Sequence, residues 1–298
     1  MHDLKFAVVG AGHGGKAVAA HLAIKGFTVN LYNRTFSRIQ PIKKMGGIEL
    51  EGEVKGFGKI NVVTNDIEKA IRGVDVIMVV VPANGHNYIA RICAPFLNES
   101  HVVVLNPGRT CGALEFLNVL REEGNKKDIA IAEAQTFIYA SRSMGPAAAK
   151  IFRTKQAIPV AAIPSRKTGM VVKKLNVAFP EFIPAVSVIE TSFNNMGAVF
   201  HPSITILNLS RIESTLGNFQ FYIEGVTQSV AKILEAVDKE RVTVARKLKC
   251  TNIYSAIEWL SMAYNVVEDN LFDAIHSNPG YVGIMAPRTI NVRYITED

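Results

Sequence analysis

Short apolar runs alternate with stretches of helical spacing over the first 180 residues of the chain. The apolar runs predict buried strands at 6–9, 28–32, 60–63, 74–81, 102–105, 129–133 and 158–162. The stretches between them predict helices, among them 67–71, 88–96 and 113–123. Strands that alternate with helices form a mostly parallel sheet covered on both faces, so we expect a doubly wound α/β domain.

The pattern changes after about residue 183, where longer helical stretches follow. Apolar residues recur every three to four positions from Phe219 to Val237 and predict one long helix. A second helix is predicted at 252–267, around the only tryptophan. This half of the chain therefore predicts an all-α domain.

Two irregular segments mark the boundaries of these patterns. The stretch 33–54 interrupts the alternation, and its glycines favour a small hairpin or loop. The segment 178–186 contains two prolines and predicts the connection between domains. We expect an α/β domain at 1–183 and a helical domain at 184–298.

A glycine-rich turn, Gly10-Ala11-Gly12-His13-Gly14-Gly15, directly follows the first predicted strand. In this Gly-x-Gly-x-x-Gly pattern Gly10 permits a tight turn, Gly12 lets the backbone approach a pyrophosphate, and Gly15 lets the helix pack on the strand. The helix that begins there directs its N–H groups and the positive end of its dipole at the phosphates. The strand, turn and helix together predict a Rossmann domain that binds a dinucleotide through Gly10, Gly12, His13, Gly14 and Gly15.

The end of the second predicted strand favours NADP over NAD. A carboxylate at this place would accept hydrogen bonds from the ribose 2′-hydroxyl of NAD. The chain instead has Asn33-Arg34-Thr35-Phe36-Ser37-Arg38, and a planar guanidinium can bind phosphate oxygens in pairs. We expect Asn33, Arg34 and Arg38 to contact NADP, and NAD is the alternative cofactor. The simplest alternative is that this segment is a solvated loop with two surface arginines.

Loops after two later strands are expected along the nicotinamide. Parallel strands bring their carboxyl ends to one edge of the sheet, where the cofactor lies. Pro82 and Asn106 follow strands at this edge, and we expect both to contact the cofactor. Asn, Pro and Gly also form ordinary turns, which is the alternative.

Composition and charge exclude several other classes of protein. The net charge is +7, but the charges are spread out without aromatic–basic interleaving, so a positive site for anionic cofactor and substrates explains them better than nucleic acid. The cysteines number 3, without a pairing or metal pattern, and no His/Asp/Glu cluster has metal-ligand spacing. No apolar stretch reaches the ~20 residues of a membrane helix. We expect a metal-free, cytoplasmic protein.

His201 is the histidine with the strongest catalytic potential. It lies in Asn194-Asn195-Met196-Gly197-Ala198-Val199-Phe200-His201-Pro202-Ser203, near the start of the helical half. Because Pro202 disfavours helical geometry at the preceding residue, we expect a helix to begin there. A histidine among apolar residues is more often packed than catalytic, so the pattern alone leaves both roles open.

The chain resembles the opine dehydrogenases, the octopine/nopaline dehydrogenase family. The matching pieces span almost its whole length: the glycine turn, Asn195 to Pro202, Tyr222-Ile223-Glu224-Gly225, and the closing Arg293-Tyr294…Glu297-Asp298. The glycine turn occurs in many families, whereas the His-Pro and Arg-Tyr-x-x-Glu-Asp elements in this order are fairly specific. Family members generally continue past the Glu-Asp element with a further helical segment, so we expect the helical domain to be short or truncated after Asp298.

The resemblance implies that His201 and Asp298 form the catalytic pair. A carboxylate bonded to one ring nitrogen fixes the tautomer and raises the pKa, so the other nitrogen can exchange a proton near neutral pH. The implied reaction is reductive condensation of an amino acid with a 2-oxo acid such as pyruvate. Arg293 and Arg288 are candidate clamps for the substrate carboxylates, and Glu133 is a candidate partner of a basic amino substrate.

Two alternatives to this activity remain open from the sequence. A simple 2-oxo or hydroxy acid reductase of the same architecture would use a Lys or His near the domain junction, where Lys173 and Lys174 lie. A binding module that senses NADP without turnover is the other. In either enzyme, apolar faces of the helical domain would support a homodimer.

Overall fold

The computed structural model describes residues 4–297, and the chain divides into two compact units. The first unit ends at Thr191 and the second begins at Ser192. The first is built around a parallel sheet and the second is helical. The expected order of an α/β domain followed by an all-α domain is therefore observed.

Strands and helices alternate through most of the first unit. Its strands are β1 (Lys5–Val9), β2 (Thr28–Tyr32), β3 (Gly47–Gly52), β4 (Gly56–Lys59), β5 (Val62–Thr64), β6 (Val76–Val79), β7 (Val102–Leu105), β8 (Ala130–Ala134), β9 (Tyr139–Gly145), β10 (Ala148–Thr154), β11 (Ile158–Ile163) and β12 (Phe182–Pro184). Its helices are α1 (His13–Ile24), α2 (Phe36–Met45), α3 (Ile67–Ile71), α4 (His86–Cys93), α5 (Gly112–Glu122) and α6 (Thr168–Asn176).

The main sheet has 8 strands in the order β12-β11-β8-β7-β6-β1-β2-β5. Its neighbouring strands pair in parallel, except that β11 runs antiparallel to β8. Alternate residues of β1 enter different hydrophobic clusters, with Phe6 and Val8 on one face and Ala7 and Val9 on the other. Because both faces are covered, the strands are mostly apolar. The strand order reverses at β1, which places a ligand crevice at the carboxyl end of that strand.

A second sheet of 4 strands, in the order β4-β3-β10-β9, accounts for the irregular stretch near residue 50. The predicted hairpin exists, since β3 and β4 pair antiparallel. Helix α2, which precedes it, was not predicted; Pro41 lies inside this helix, and Thr35 makes no side-chain cap. Strands β9 and β10 were not predicted either, because exposed and partly buried positions and polar residues interrupt both and neither forms an apolar run.

The segment 178–186 is only partly a connection. Phe182–Pro184 forms β12, which pairs in parallel with β11 at the edge of the main sheet. Pro184 is tolerated there because an edge strand does not need every N–H for the ladder. The prolines therefore mark a sheet edge as well as a connecting segment.

The second unit is formed by helices of 4 to 20 residues around one core. They are α7 (Val188–Phe193), which begins before the unit boundary, and α8 (Met196–Leu207), α9 (Leu209–Thr215), α10 (Gln228–Lys247), α11 (Ala256–Tyr264), α12 (Leu271–His276) and α13 (Arg293–Thr296). None of the helices within residues 4–297 combines the length and the apolar character that crossing a membrane demands.

The prediction of one helix over Phe219–Val237 is wrong in its first part. Helix α10 begins at Gln228, where the Thr227 hydroxyl accepts a hydrogen bond from the N–H of Val230. This N-cap stops the helix from extending backward. The preceding apolar residues form turns instead, and Phe219 and Phe221 are buried in the core of the unit. The spacing of these apolar residues therefore reflects their burial in the core and not a helix.

Candidate active site

The glycine turn connects β1 to α1 at the crevice of the main sheet. Gly10 has φ +112°, and a Cβ there would lie 2.3 Å from the carbonyl oxygen of Val80. A Cβ on Gly15 would lie 1.8 Å from the carbonyl oxygen of Gly10. The fold itself therefore excludes larger residues at Gly10 and Gly15.

Gly12 differs from its two neighbours in the motif. A Cβ at this position would meet nothing within 4 Å, so the fold does not require a glycine there. Gly12 is also the N-cap of α1, whose first turn leaves N–H groups without partners inside the helix and contains no acidic side chain. Open backbone beside a helix N-terminus fits the pyrophosphate of a dinucleotide.

His13 and Lys16 point from this turn toward the second sheet. The Nδ1 of His13 accepts a hydrogen bond from the N–H of Ser143 at 2.8 Å. The Nζ of Lys16 donates to the carbonyl of Gly145 at 2.6 Å and to the hydroxyl of Ser143. Burial lowers the pKa of Lys16. These contacts fasten the β9–β10 hairpin to α1.

Asn33 and Arg34 lie at the carboxyl end of β2. The Oδ1 of Asn33 accepts a hydrogen bond from the N–H of Ala11 at 3.1 Å, which ties this end of β2 to the glycine turn. The guanidinium carbon of Arg34 lies 5.2 Å from the ring centroid of Tyr88. Arg34 and Arg38 are exposed, and within residues 4–297 neither forms an ion pair with a carboxylate. Their charges are available to an anion.

Pro82 and Asn106 lie in the loops after β6 and β7. Pro82 precedes a short 3-10 turn that leads into α4. Asn106 is fully buried, and neither Nδ2 nor Oδ1 of its amide has a hydrogen-bond partner among residues 4–297. An amide left unsatisfied in this way costs free energy unless a ligand completes it. A carboxamide such as that of nicotinamide has the matching donor and acceptor.

His86 is a buried histidine close to the loop that follows β6. It begins α4, and a Cβ on Gly112 would lie 3.0 Å from its Nδ1. Burial, assisted by the charge of Arg109, lowers the pKa of His86 to about 4. The imidazole is therefore neutral at physiological pH.

Glu133 is fully buried at the carboxyl end of β8. Its Oε2 accepts a hydrogen bond from the N–H of Ala113 at 2.8 Å, and its Oε1 accepts one from the Thr191 hydroxyl at 2.5 Å. The Ala113 N–H belongs to the first turn of α5, where a carboxylate also complements the helix dipole. These bonds give Glu133 a structural role, and its contact with substrate stays a prediction.

His201 lies inside α8, so the expected helix start at this residue is wrong. The helix begins at Met196, and Pro202 occupies its interior. A proline there cannot donate to the carbonyl four residues earlier, which leaves that helical bond unmade. The Thr205 hydroxyl donates to the His201 carbonyl at 2.7 Å and supports the turn that presents the imidazole.

Aromatic side chains surround the His201 ring. Its Nε2 lies 3.0 Å from the hydroxyl of Tyr222, and its ring stacks on Tyr294 with centroids 4.2 Å apart and planes at 20°. Tyr222 stacks in turn on Tyr281 at 3.9 Å. Burial raises the pKa of Tyr281 well above its ordinary value. The imidazole is thus held by a hydroxyl at one nitrogen and by a ring on one face.

Sequence reasoning did not assign roles to Tyr222 and Tyr294. Both belong to segments that carried the family resemblance, and that membership was the only signal available. Their contact with His201 requires the chain to return from residue 294, which no local pattern indicates. The expected partner Asp298 lies outside the described residues.

The two candidate arginine clamps are exposed. The guanidinium carbon of Arg293, at the start of α13, lies 5.2 Å from the ring centroid of Tyr294. Arg293 therefore adjoins the aromatic cluster of His201. Arg288 lies in the loop before α13, without a described contact to that cluster.

Family models match both units of the chain. The NAD/NADP octopine/nopaline dehydrogenase, alpha-helical domain matches residues 184–298, and the NAD binding domain of 6-phosphogluconate dehydrogenase matches residues 5–104. Together with the glycine turn, these matches define an NAD(P)-dependent oxidoreductase.

The particular family follows from whole-chain relatives. The chain is 37% identical to the opine dehydrogenase of Arthrobacter sp. (strain 1C) over 294 residues, which cover 98% of this chain and 81% of that protein. It is 26% identical to the protein ocs of Agrobacterium tumefaciens (strain Ach5), covering 99% of this chain and 82% of the relative. The chain belongs to the opine dehydrogenase family and acts on CH–NH donors.

Solved structures agree with the fold. A structure of octopine dehydrogenase with NADH and L-arginine superposes with a TM-score of 0.80 at 20% identity, covering 99% of this chain and 81% of that one. A yersinopine dehydrogenase with NADP⁺ superposes with a TM-score of 0.71 at 16% identity, covering 95% of this chain and 78% of that one. The α/β unit followed by a helical unit is thus the architecture of these enzymes.

Proposed function

We propose that this enzyme condenses the amine of an amino acid with a 2-oxo acid such as pyruvate and reduces the resulting imine with NADPH. The family membership supports the reaction class. Octopine dehydrogenase has been solved with L-arginine, agmatine and pyruvate, which supports an amine and a 2-oxo acid as the substrate classes here. The observation that carries the proposal is the oriented His201 in the helical unit of an NAD(P)-dependent enzyme.

His201 serves as the general acid in this proposal. When bound, the nicotinamide cofactor supplies the hydride that reduces the imine carbon. The protonated imidazole donates a proton to the carbinol oxygen formed by amine addition, and this oxygen leaves as water. The resulting iminium carbon accepts the hydride, which gives a neutral secondary amine. Stacking on Tyr294 and the hydrogen bond with Tyr222 limit the rotation of the ring, so it is held ready for proton transfer.

Asp298 is proposed to pair with His201 through Nδ1, so that the substrate replaces the Tyr222 hydroxyl at Nε2 when it binds. The assignment rests on the closing Arg-Tyr-x-x-Glu-Asp element of the family. A carboxylate there would stabilise the imidazolium and raise its pKa. The pair would then keep a proton available near neutral pH.

Arg293 is the favoured clamp for a substrate carboxylate, with Arg288 as the second candidate. The guanidinium carbon of Arg293 lies 5.2 Å from the ring of Tyr294, which stacks on His201, and this link supports the assignment. Glu133 is proposed as a partner for a basic amino substrate only if its bonds to Ala113 and Thr191 are exchanged. The arginines are thus the stronger assignments.

We propose NADP as the preferred cofactor, with NAD as the weaker alternative. Asn33, Arg34 and Arg38 would contact the adenosine ribose and its 2′-phosphate, and the glycine turn with His13 and Gly14 would face the pyrophosphate. Pro82 and Asn106 would border the nicotinamide. The unpaired charges of Arg34 and Arg38 support the preference for the phosphorylated cofactor.

The deciding experiment measures NADPH oxidation with pyruvate, with and without a pooled set of amino acids. Oxidation that requires an amino acid supports the proposal and allows the amine to be identified by dividing the pool. Oxidation with pyruvate alone would instead support a simple 2-oxo acid reductase. Binding of NADPH without oxidation under either condition would support the sensor, once other oxo acids have been tried.

We further propose a homodimer in the cytoplasm. Large apolar side chains are exposed on the helical unit, among them Met262, Tyr264 and Val267, which supports pairing through that unit. The odd number of cysteines, 3, supports a reducing compartment. Light scattering coupled to gel filtration would test the dimer, and a monomer at all concentrations would contradict it.

A further inference from the structure

We propose that Tyr88 is a positioning residue that holds Arg34 ready for the 2′-phosphate and thereby sets the preference for NADP. The inference rests on the proposed cofactor preference. It extends that proposal by naming a residue, distant in sequence from the loop that would bind the phosphate, that contributes to the preference. Tyr88 lies on α4, after β6, whereas Arg34 follows β2.

The geometry places the Tyr88 ring beneath the guanidinium. The distance from the Arg34 guanidinium carbon to the ring centroid is 5.2 Å, within the range of a cation–π contact. A guanidinium that rests on a ring by its face keeps its N–H groups at the edge. Those edge groups are the ones that bind phosphate oxygens in pairs.

Tyr88 also adjoins the sheet. Burial first, and the neighbouring Tyr88 second, raise the pKa of Tyr32, the last residue of β2, which is only 3% exposed. Tyr88 itself remains 38% exposed, so it lies between the buried strand and the surface. Tyr32, Tyr88 and Arg34 therefore form a chain of contacts from the buried strand to the exposed charge.

This arrangement reduces the cost of binding phosphate. An exposed arginine loses rotamer freedom when it is fixed on a ligand. Resting on Tyr88 restricts Arg34 before the cofactor arrives, so less freedom is lost on binding. The benefit applies only to a cofactor whose phosphate meets Arg34, which makes Tyr88 a determinant of selectivity.

The test compares binding of NADPH and NADH by fluorescence titration, without any substrate. For Tyr88→Ala we expect NADPH affinity to fall about 3- to 10-fold, the size of one cation–π contact, with NADH affinity unchanged. Tyr88→Phe keeps the ring and should stay within about 2-fold of the parent protein. Calorimetry with 2′,5′-ADP and 5′-AMP should repeat the pattern, since these differ in the 2′-phosphate alone.

A double-mutant cycle separates positioning from a direct contact. On an Arg34→Ala background, Tyr88→Ala should have no further effect, whereas on an Arg38→Ala background it should keep its full effect. Phe152→Ala is the matched control, because it removes an exposed cation–ring contact of similar length, that of Lys150 at 5.5 Å, on β10 of the second sheet. It should leave the NADPH/NADH affinity ratio unchanged.

Two outcomes would overturn the inference. If Tyr88→Ala weakens NADPH and NADH binding equally, Tyr88 supports binding of either cofactor and does not select between them. If the effects of Tyr88→Ala and Arg34→Ala on NADPH affinity are fully additive, Tyr88 acts independently of Arg34. Thermal unfolding checks that each variant is folded. Because the titrations contain no substrate, their failure is distinguishable from a failure of the amine-dependent reaction.

Discussion

The candidate site of the first unit is formed by backbone groups, whereas that of the second unit is formed by side chains. In the first unit the glycine turn uses the backbone of consecutive residues, and its geometry follows from the steric limits at Gly10 and Gly15. In the second unit the surroundings of His201 consist of side chains from Tyr222, Tyr281 and Tyr294. A backbone site can be recognised from a short motif, whereas a side-chain site depends on how the whole unit folds.

Removing His201 should produce the largest effect and should separate the two sites. For His201→Ala we expect kcat to fall about 10²- to 10⁴-fold, the usual contribution of general acid–base catalysis. The Kd for NADPH should not change, because cofactor binding belongs to the first unit. Steady-state kinetics and fluorescence titration measure both values.

His276→Ala is a control in the same unit, since that imidazole bonds the carbonyls of Phe272 and Ile223 and lies outside the His201 cluster. It should leave kcat within about 3-fold if it folds. Undiminished turnover in His201→Ala would contradict the proposed catalytic role.

Two alanine substitutions test whether the glycine turn serves fold or ligand. Gly15→Ala places a Cβ 1.8 Å from a carbonyl oxygen, and we expect a loss of about 1–3 kcal/mol or more in the free energy of unfolding. Gly12→Ala meets nothing within 4 Å and should leave that free energy unchanged. It should nevertheless weaken NADPH binding at least about 10-fold, because the methyl group occupies the approach of the pyrophosphate.

Urea unfolding and NADPH titration of the two variants measure this difference. Gly26→Ala is unsuitable as a control because Gly26 has φ +90°. Gly169→Ala meets nothing within 4 Å and is away from the turn, so it should change neither value. If Gly12→Ala binds NADPH normally, Gly12 has no role in cofactor approach.

Acid should destabilise the first unit through two buried histidines. Burial holds the pKa of His21 and His86 at about 4 in the folded chain, against 6.5 ordinarily. As pH falls from 6.5 toward 4, the unfolded chain gains protons that the folded chain excludes. The contribution of each histidine to the free energy of unfolding is therefore complete above pH 6.5. As the pH falls from 6.5 toward 4, the free energy of unfolding decreases by up to about 3 kcal/mol for each histidine.

Urea unfolding at about pH 7 and about pH 5 tests this sign. His86→Phe should reduce the difference between the two values, whereas His13→Ala, at an exposed position, should preserve it. A stability that rises on acidification would contradict the buried, neutral state of these side chains.

Tyr222→Phe should have the smallest effect and tests the hydroxyl alone. The ring remains to stack on Tyr281, but the hydrogen bond to His201 Nε2 is lost. We expect kcat to fall about 3- to 10-fold, corresponding to one hydrogen bond, with NADPH affinity unchanged. A kcat equal to that of the parent enzyme would show that stacking alone orients the imidazole.

The sequence predicts the sheet better than the site because strands and motifs are local. Apolar runs located β2 and β7 at their observed bounds. The apolar spacing over Phe219–Val226 led to a wrong prediction of a helix, because these residues are buried in the core without forming one. The partners of His201 depend on tertiary contacts, which local periodicity does not encode.

The pairing of β3 with β10 also dictates when the first unit can be completed during synthesis. β3 ends at Gly52, and its parallel partner does not begin until Ala148. A nascent chain can form the glycine turn early, but it cannot close the second sheet over α1 until about a hundred further residues have left the ribosome. Until then the face of α1 that packs on β9 and β10 stays uncovered, so this part of the first unit is completed only after β10 has been synthesised.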